Sequence, residues 1–259
     1  IEQYENASNL KARIRIHELF SINKQGWMNW FFKQLNLPDE SSILELGCGD
    51  GSLWDKNFDY IPKGWDITLT DSSQGMLKDA KKNLGDKSER FKFKLVDAQN
   101  IPFQDCIFDL VIANNMLYHV LDKEKTFSEV KRVLKPNGFF YASTVGKNHM
   151  KEMRDIIAKF NSESITSESW NATESFQLEN GLEQVSKWFK EVKLIRYSDN
   201  LNVTSAMPLV DYIFSMPGNA KEFFTEDNLQ RLISFLEENI ANSGGIYITK
   251  DTGFFEARK

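Results

Sequence analysis

The chain is short of the residues that allow a protein to do without a conventional core. Among 259 residues there are 14 glycines, 6 prolines and 2 cysteines. So little glycine and proline excludes a collagen-like, low-complexity or largely disordered chain, and a composition 41% hydrophobic and 27% charged is that of a folding chain. The length suits one large domain, or one domain carrying an insertion. Cys48 and Cys106 have neither metal-ligand spacing nor the look of a disulfide framework. Both lie in apolar sequence and are expected to be buried, reduced thiols, which points to the cytoplasm. Positive charge is not in excess: 32 Lys and Arg against 37 Asp and Glu leave a net charge of -5, so no summed basic field draws the chain onto nucleic acid. No run approaches the roughly 18 to 20 apolar residues of a membrane span. Residues Ile1 to Asn6 lack the basic stretch and apolar run of a secretory signal, so export is not expected. The 3 histidines join no cluster at ligand spacing, and no metal is expected.

What is present is an alternation of short β-branched or aromatic runs with helix-period segments, the pattern of a parallel sheet with crossover helices. Ser42–Leu46, Ile67–Thr70, Phe91–Val96, Phe108–Ala113 and Phe139–Thr144 read as the first five strands. Helical patterns cover Met76 to Leu84 and Phe127, Val130 and Leu134, the second stopped by a Lys135-Pro136-Asn137-Gly138 turn. Repeated right-handed βαβ units of this kind build a doubly wound sheet. Residues 1–40 precede it as a helical appendage, with two amphipathic segments joined near Asn23-Lys24-Gln25-Gly26; 41–146 form the core; 147–259 complete the same domain with helical insertions. In that last part Lys147 to Phe160 reads helical, Ser162 to Ser175 as loop, and Leu178 to Trp188 as helical. Val192 to Tyr197 is a sixth strand, and Ser205 to Ala241 is an insertion with a helix N-capped by Thr225. Ile246–Thr249 and Phe254–Ala257 close the chain on either side of a Lys250-Asp251-Thr252-Gly253 turn.

The chemistry is expected where strand 1 turns into its helix, at Glu45-Leu46-Gly47-Cys48-Gly49-Asp50-Gly51. Glycines here permit positive φ and let a ligand approach the backbone. The run is not the dinucleotide G-x-G-x-x-G, because Ser52 stands where the third glycine would be, and Asp50 would repel a pyrophosphate at the helix start. Asp71 ends strand 2, where a carboxylate can accept hydrogen bonds from both ribose hydroxyls of a nucleoside. Asp97-Ala98 follows strand 3 and Asn114-Asn115 follows strand 4. In a doubly wound sheet these carboxyl ends line one crevice.

Over roughly 40 to 146 the sequence resembles the class I S-adenosylmethionine-dependent methyltransferases. The likeness is carried by Ile43 to Gly51, Leu69 to Leu77, Val96 to Phe103 and Phe108 to Asn114, and is closest to the methyltransferase type 11 group, whose Leu-Lys-Pro-Asn-Gly turn is matched at Leu134 to Gly138. The resemblance implies a Rossmann-like seven-stranded sheet with an antiparallel strand 7. It also implies a cofactor site in which Glu45, Gly47, Cys48 and Gly49 wrap the methionine part of S-adenosylmethionine and Asp71 binds the ribose. Ser72 and Met76 would flank the adenine, Asp97 and the Ala98 amide would read its edge with Gln99 beside them, and the Asn114 backbone would lie near the amino group or sulfonium. Insertions after strand 5 vary the substrate in this family, and an aromatic-rich, non-basic insertion suits a small, partly apolar methyl acceptor. Met207, Leu209, Tyr212, Ile213, Phe214 and Met216 are candidates for its roof.

Transfer of a methyl group from a sulfonium needs alignment more than side-chain chemistry, and a hydroxyl acceptor alone benefits from a base. His119, just after strand 4, is the candidate base; His17 and His149 read as core or surface residues. Arg13 is a candidate partner for the cofactor carboxylate and Tyr4 for a lid over it, against the alternative that Arg13 is a solvated helix charge. Trp27, Trp30, Phe31 and Phe32 read as core of the appendage. Three other readings stay open: a nicotinamide-dependent oxidoreductase, a transferase using decarboxylated S-adenosylmethionine, and a cofactor-binding module without catalysis.

Overall fold

Strand alternation divides the core. In β4 (Phe108–Asn114), Leu110 and Ile112 face one side of the sheet while Val111 and Ala113 face the other, as a period of two requires. The computed structural model describes residues 8–160, 171–216 and 225–259. It holds β1 (Ser42–Leu46), β2 (Asp66–Asp71), β3 (Lys92–Leu95), β4, β5 (Leu134–Val145), β6 (Lys190–Val203) and β7 (Ile246–Arg258) in one sheet of order β3-β2-β1-β4-β5-β7-β6. Strands β1 to β5 are parallel, and β7 runs antiparallel to both β5 and β6. This is the doubly wound, seven-stranded arrangement expected.

Two layers cover the sheet. On one face α2 (Trp27–Phe32), α3 (Ser52–Asp55) and α4 (Gln74–Leu84) bury Phe31, Trp54 and Ala80 against Ile43, Ile67 and Leu110. On the other, α5 (Lys123–Val133) and α7 (Leu178–Ser186) bury Phe127 and Val185 against Leu44, Val111 and Phe140. Each fully buried Val, Leu, Ile or Phe side chain among these contributes about 1.5–3 kcal/mol of transfer free energy. Helix starts are fixed locally: Ser73 Oγ accepts from Met76 N at 3.2 Å to open α4, and Asp122 Oδ1 from Lys125 N at 2.9 Å to open α5.

A third apolar cluster sits beyond the carboxyl edge. There β6 and β7 outrun β5, and α1 (Ser8–Phe20), α6 (Lys151–Phe160), α8 (Ala206–Phe214) and α9 (Glu226–Ser243) pack Ile16, Met153, Leu209, Ile213 and Leu236 against Leu201 and Ile248. Thr225 caps α9 as expected, accepting from Asn228 N. The chain after α1 is pinned to this extension by the Ile22 N to Asn200 O bond of 2.9 Å.

Three local expectations change. The Lys250–Gly253 stretch is not a turn: β7 runs straight through it, Gly253 lying between Thr144 and Arg196. A Cβ at Gly253 would come within 2.6 Å of the Ile195 carbonyl oxygen, so the glycine serves close strand approach. The Lys135–Gly138 turn is absorbed into β5, which pairs with β4 on either side of a register shift and places Asn137 at φ 65. Cys106 is exposed, because it occupies a positive-φ corner leading into β4, whereas Cys48 is buried as expected. The segment read as a loop over Ser162 to Ser175 lies largely outside the described residues.

Candidate functional site

The glycine run leaves β1 as a loop held by its own backbone. Gly47, Gly49 and Gly51 have φ of 66, 57 and 74, and Cys48 N donates to the Thr70 carbonyl at 2.8 Å, tying the loop to β2. Asp71, 9% exposed at the end of β2, closes the arrangement: Oδ2 accepts from Gly49 N at 3.1 Å and Oδ1 from Ser73 N at 2.9 Å. A carboxylate offers about four lone-pair sites, so it keeps acceptor capacity for a ligand's hydroxyls. Burial raises its pKa, while the backbone donors oppose the shift.

Glu45 lies beneath the loop, 2% exposed, with Trp54 Nε1 donating to its Oε2 at 2.5 Å. Burial in apolar surroundings, reinforced by Asp71 and Asp50, pushes its pKa up to about 8 despite that hydrogen bond. Asp50 turns inward: its Oδ1 accepts from Ser52 N at 3.1 Å and Ser52 Oγ at 2.6 Å, filling the start of α3 with a carboxylate.

The other expected residues assemble along the same edge. Met76 is buried and Ser72 exposed at the start of α4. Asp97 is exposed after β3, with buried Ala98 next to it. Gln99 braces this loop: its side-chain amide donates to Asp97 Oδ1 at 3.0 Å, and its Oε1 accepts from Asp122 N at 3.0 Å. At the end of β4, Asn114 Oδ1 accepts from Ser143 Oγ at 2.6 Å and from Trp27 Nε1 at 3.3 Å. Trp27 therefore reaches the site from α2, although its sequence pattern placed it in the core of the appendage. Asn115 is strained to φ 54, and its buried Oδ1 has no hydrogen-bond partner among the described residues.

One face of helix α1 runs from the glycine loop to the end of α8. Residues 10, 13 and 17 align at helical spacing. Leu10 lies over the loop, its Cδ2 only 3.1 Å from where a Gly49 Cβ would stand, as Met116 lies over Gly47. Arg13 Nε donates to Ser215 Oγ at 3.2 Å, and a second guanidinium nitrogen donates to the Ser215 carbonyl, so Arg13 joins α1 to the end of α8. Tyr4 lies outside the described residues. His119, in the 3-10 turn Leu117–His119, packs edge-on to Tyr118 with ring centroids 4.4 Å apart. Crowding of the ring by its neighbours, followed by the Arg13 charge, lowers its pKa to about 4, so the imidazole is neutral at pH 7.

Sequence reasoning missed the far end of this face. His17 and His149 stand with ring centroids 6.0 Å apart, and the ring of Tyr212 meets His17 edge-on at 6.2 Å. Next to them Lys250 Nζ reaches Asp199 Oδ2 at 2.5 Å and Ser21 Oγ at 3.2 Å, an ion pair with side chains 5% and 0% exposed. One signal was available: alternation from Ile246 through Ile248 places Lys250 on the buried side of β7. Of the expected roof residues, Leu209 and Ile213 are buried in the third apolar cluster, Tyr212 faces His17, and Met207 is exposed. Among the described residues no group of His, Cys, Asp and Glu could hold a metal ion, and no helix is long and apolar enough to cross a membrane.

Comparison with known proteins finds a match over the glycine loop and the first five strands. Residues 44–142 match the model of the Methyltransferase domain. The chain is 32% identical over 116 residues to the malonyl-[acyl-carrier protein] O-methyltransferase of Geobacter sulfurreducens, 45% of this chain and 43% of that protein. It is 31% identical over 127 residues to the demethylmenaquinone methyltransferase of Lactobacillus johnsonii, 48% of this chain and 52% of that protein. The chain thus matches about half the length of these relatives. In fold it is similar to the YcgJ protein of Bacillus subtilis, with a TM-score of 0.58, 17% identity, and coverage of 90% and 97% of the two chains. It is also similar to phosphoethanolamine N-methyltransferase 2 of Haemonchus contortus, solved with S-adenosyl-L-methionine, with a TM-score of 0.58, 21% identity, and coverage of 96% and 56%.

Proposed function

We propose that this chain, whose residues 44–142 match the Methyltransferase domain, is a class I S-adenosylmethionine-dependent methyltransferase that moves a methyl group from S-adenosylmethionine to the N, O or C nucleophile of a small molecule. The observation that carries the reading is the pairing of a positive-φ glycine loop with the Asp71 carboxylate, joined through Gly49 N and with acceptor capacity to spare. That set fits a nucleoside without phosphate. The start of α3 does not suit a dinucleotide, since the Asp50 carboxylate already occupies its first N–H.

Within this reading we assign the backbone at Gly47, Cys48 and Gly49, above Glu45, to the methionine part, and Asp71 to the ribose. Ser72 and Met76 flank the adenine, and Asp97 and the Ala98 amide meet its edge, with Gln99 fixing Asp97. Asn114, held by Ser143 and Trp27, lies by the amino group or sulfonium. Arg13 and Tyr4 belong to the lid, and the helices before residue 41 and after residue 146 make the acceptor cap. The bound cofactor supplies an electrophilic methyl group on a leaving group already activated, so the chain's task is to align the acceptor and exclude water. Leu10 and Met116, packed over Gly49 and Gly47, do the excluding. For a hydroxyl acceptor, a ring nitrogen of neutral His119 takes the proton; its lowered pKa makes it a weak base, which suits an acceptor acidic enough to need little help. An amine acceptor needs only to arrive deprotonated. The acidic net charge supports a small-molecule acceptor over nucleic acid, and the two unpaired thiols support a cytoplasmic setting.

The test is incubation with methyl-labelled S-adenosylmethionine and a small-molecule extract. The expected result is label transferred to a low-mass product. Tight cofactor binding with no transfer to any small molecule would favour a non-catalytic binding module, and label on nucleic acid or protein alone would overturn the acceptor class.

A further inference from the structure

The geometry points to an oxyanion subsite at the far end of the acceptor crevice, in which His17, His149 and Lys250 receive a carboxylate or phosphate carried by the methyl acceptor. The inference rests on the methyltransferase reading and adds the acceptor's chemical class to it.

Helix α1 acts as the ruler. Leu10 covers the cofactor loop at Gly49, and His17 lies seven residues further along the same face. At 1.5 Å per residue the two are about 10 Å apart along the axis, the span of a small acceptor reaching from the transferred methyl group to its own tail. Arg13, midway, keeps the same face basic.

The cluster at that end has unused capacity. Nδ1 of His17 is buried without a hydrogen-bond partner among the described residues, which is costly unless a ligand meets the ring. His149 Nδ1 accepts from Asp251 N at 3.3 Å, which leaves the proton of the neutral ring on Nε2, available to donate. The ammonium of Lys250 gives protons to Asp199 and Ser21 and has a third to give.

The carboxylates nearby are already engaged. Asp199 accepts from Ser21 Oγ, Asn23 N, Asn200 N and Lys250. Asp251 pairs with Arg196, and Glu152 accepts from Thr249. The charges that bear on the two neutral rings are cationic: Lys250 acts on His17, and Lys250 and Arg154 act on His149. Cations converging on neutral rings in a part-buried site leave a positive potential that an anion would balance, and donors with no committed acceptor would meet its oxygens.

The protein's 3 histidines make the test direct. Histidine-labelled protein, with S-adenosylhomocysteine present, is titrated with inorganic phosphate and separately with acetate, and the ring nitrogens are followed by NMR at constant ionic strength set with chloride. The expected result is a saturable, millimolar shift of the His17 and His149 signals with at least one anion, assigned with His17→Gln and His149→Gln and strongly weakened in each variant for the ring that remains. A response to phosphate alone marks a phosphomonoester acceptor, and one to acetate alone marks a carboxylate acceptor. Signals that stay still, or move equally in chloride, overturn the subsite. Because S-adenosylhomocysteine binding is measured in the same samples, its failure would strike the methyltransferase reading, whereas its success with unmoved rings would strike only this inference. Both variants keep a polar side chain of similar size, so a folded spectrum with intact nucleoside binding separates loss of the subsite from loss of the fold.

Discussion

Replacing Glu45 by Gln should reverse the chain's response to alkali. Glu45 is 2% exposed, has Trp54 as its hydrogen-bond donor and faces the charges of Asp71 and Asp50, so its pKa rises from 4.5 to about 8. The folded state then holds a proton that the unfolded state has released, and stability falls as pH rises between those values. At about 1.4 kcal/mol per pH unit, the wild type loses about 3 to 4 kcal/mol between pH 5 and pH 8 from this one group. Glutamine cannot ionise, and its amide N–H without a partner costs about 1 kcal/mol at every pH. The two stability curves must therefore cross. Urea unfolding at pH 5, 6, 7 and 8 should show Glu45→Gln slightly less stable than wild type at pH 5 and clearly more stable at pH 8. A difference independent of pH would refute the buried, protonated carboxyl.

Other expectations follow from the cap. Lys250→Met leaves Asp199 buried without its cation and should cost about 3–5 kcal/mol, whereas Lys250→Met with Asp199→Leu should recover most of that loss in urea unfolding. His149 is lowered to about 3 and His17 well below 6.5, both first by burial, so the folded state declines protons that the unfolded chain accepts. Stability should therefore fall as pH drops below about 6.5, and His149→Gln should flatten part of that slope in a thermal-unfolding series. Gly49→Ala meets a positive φ and the Leu10 side chain together and should destabilise by about 1–2 kcal/mol while weakening nucleoside binding.

How much was legible depended on how local the cause was. The glycine loop, Asp71 and the first five strands could be read because turn chemistry and strand alternation act over a few residues. The β7 strand was split in the reading because Lys250-Asp251-Thr252-Gly253 has the composition of a turn. Only pairing with β5 and β6, more than fifty residues away, holds it straight. The second half of β6 was hidden in the same way: the strand read at Val192 to Tyr197 stops before the polar Ser198-Asp199-Asn200, whose Asp199 is satisfied inside the sheet by Lys250. His17 and His149 lie 132 positions apart and meet only through the packing of α1 against the β6–β7 extension. Trp27 looked like core because its helix does bury Phe31 and Phe32, yet its indole N–H ends on Asn114.

The central claim is that the Gly47–Gly51 loop and Asp71 bind the nucleoside of S-adenosylmethionine, and titration calorimetry tests it most directly. Wild-type protein should bind S-adenosylmethionine and S-adenosylhomocysteine but not NAD, and Asp71→Ala should weaken both by about 1.5–3 kcal/mol, the worth of hydrogen bonds to a charged acceptor. Binding of NAD alone, or unchanged affinity in Asp71→Ala, would contradict it.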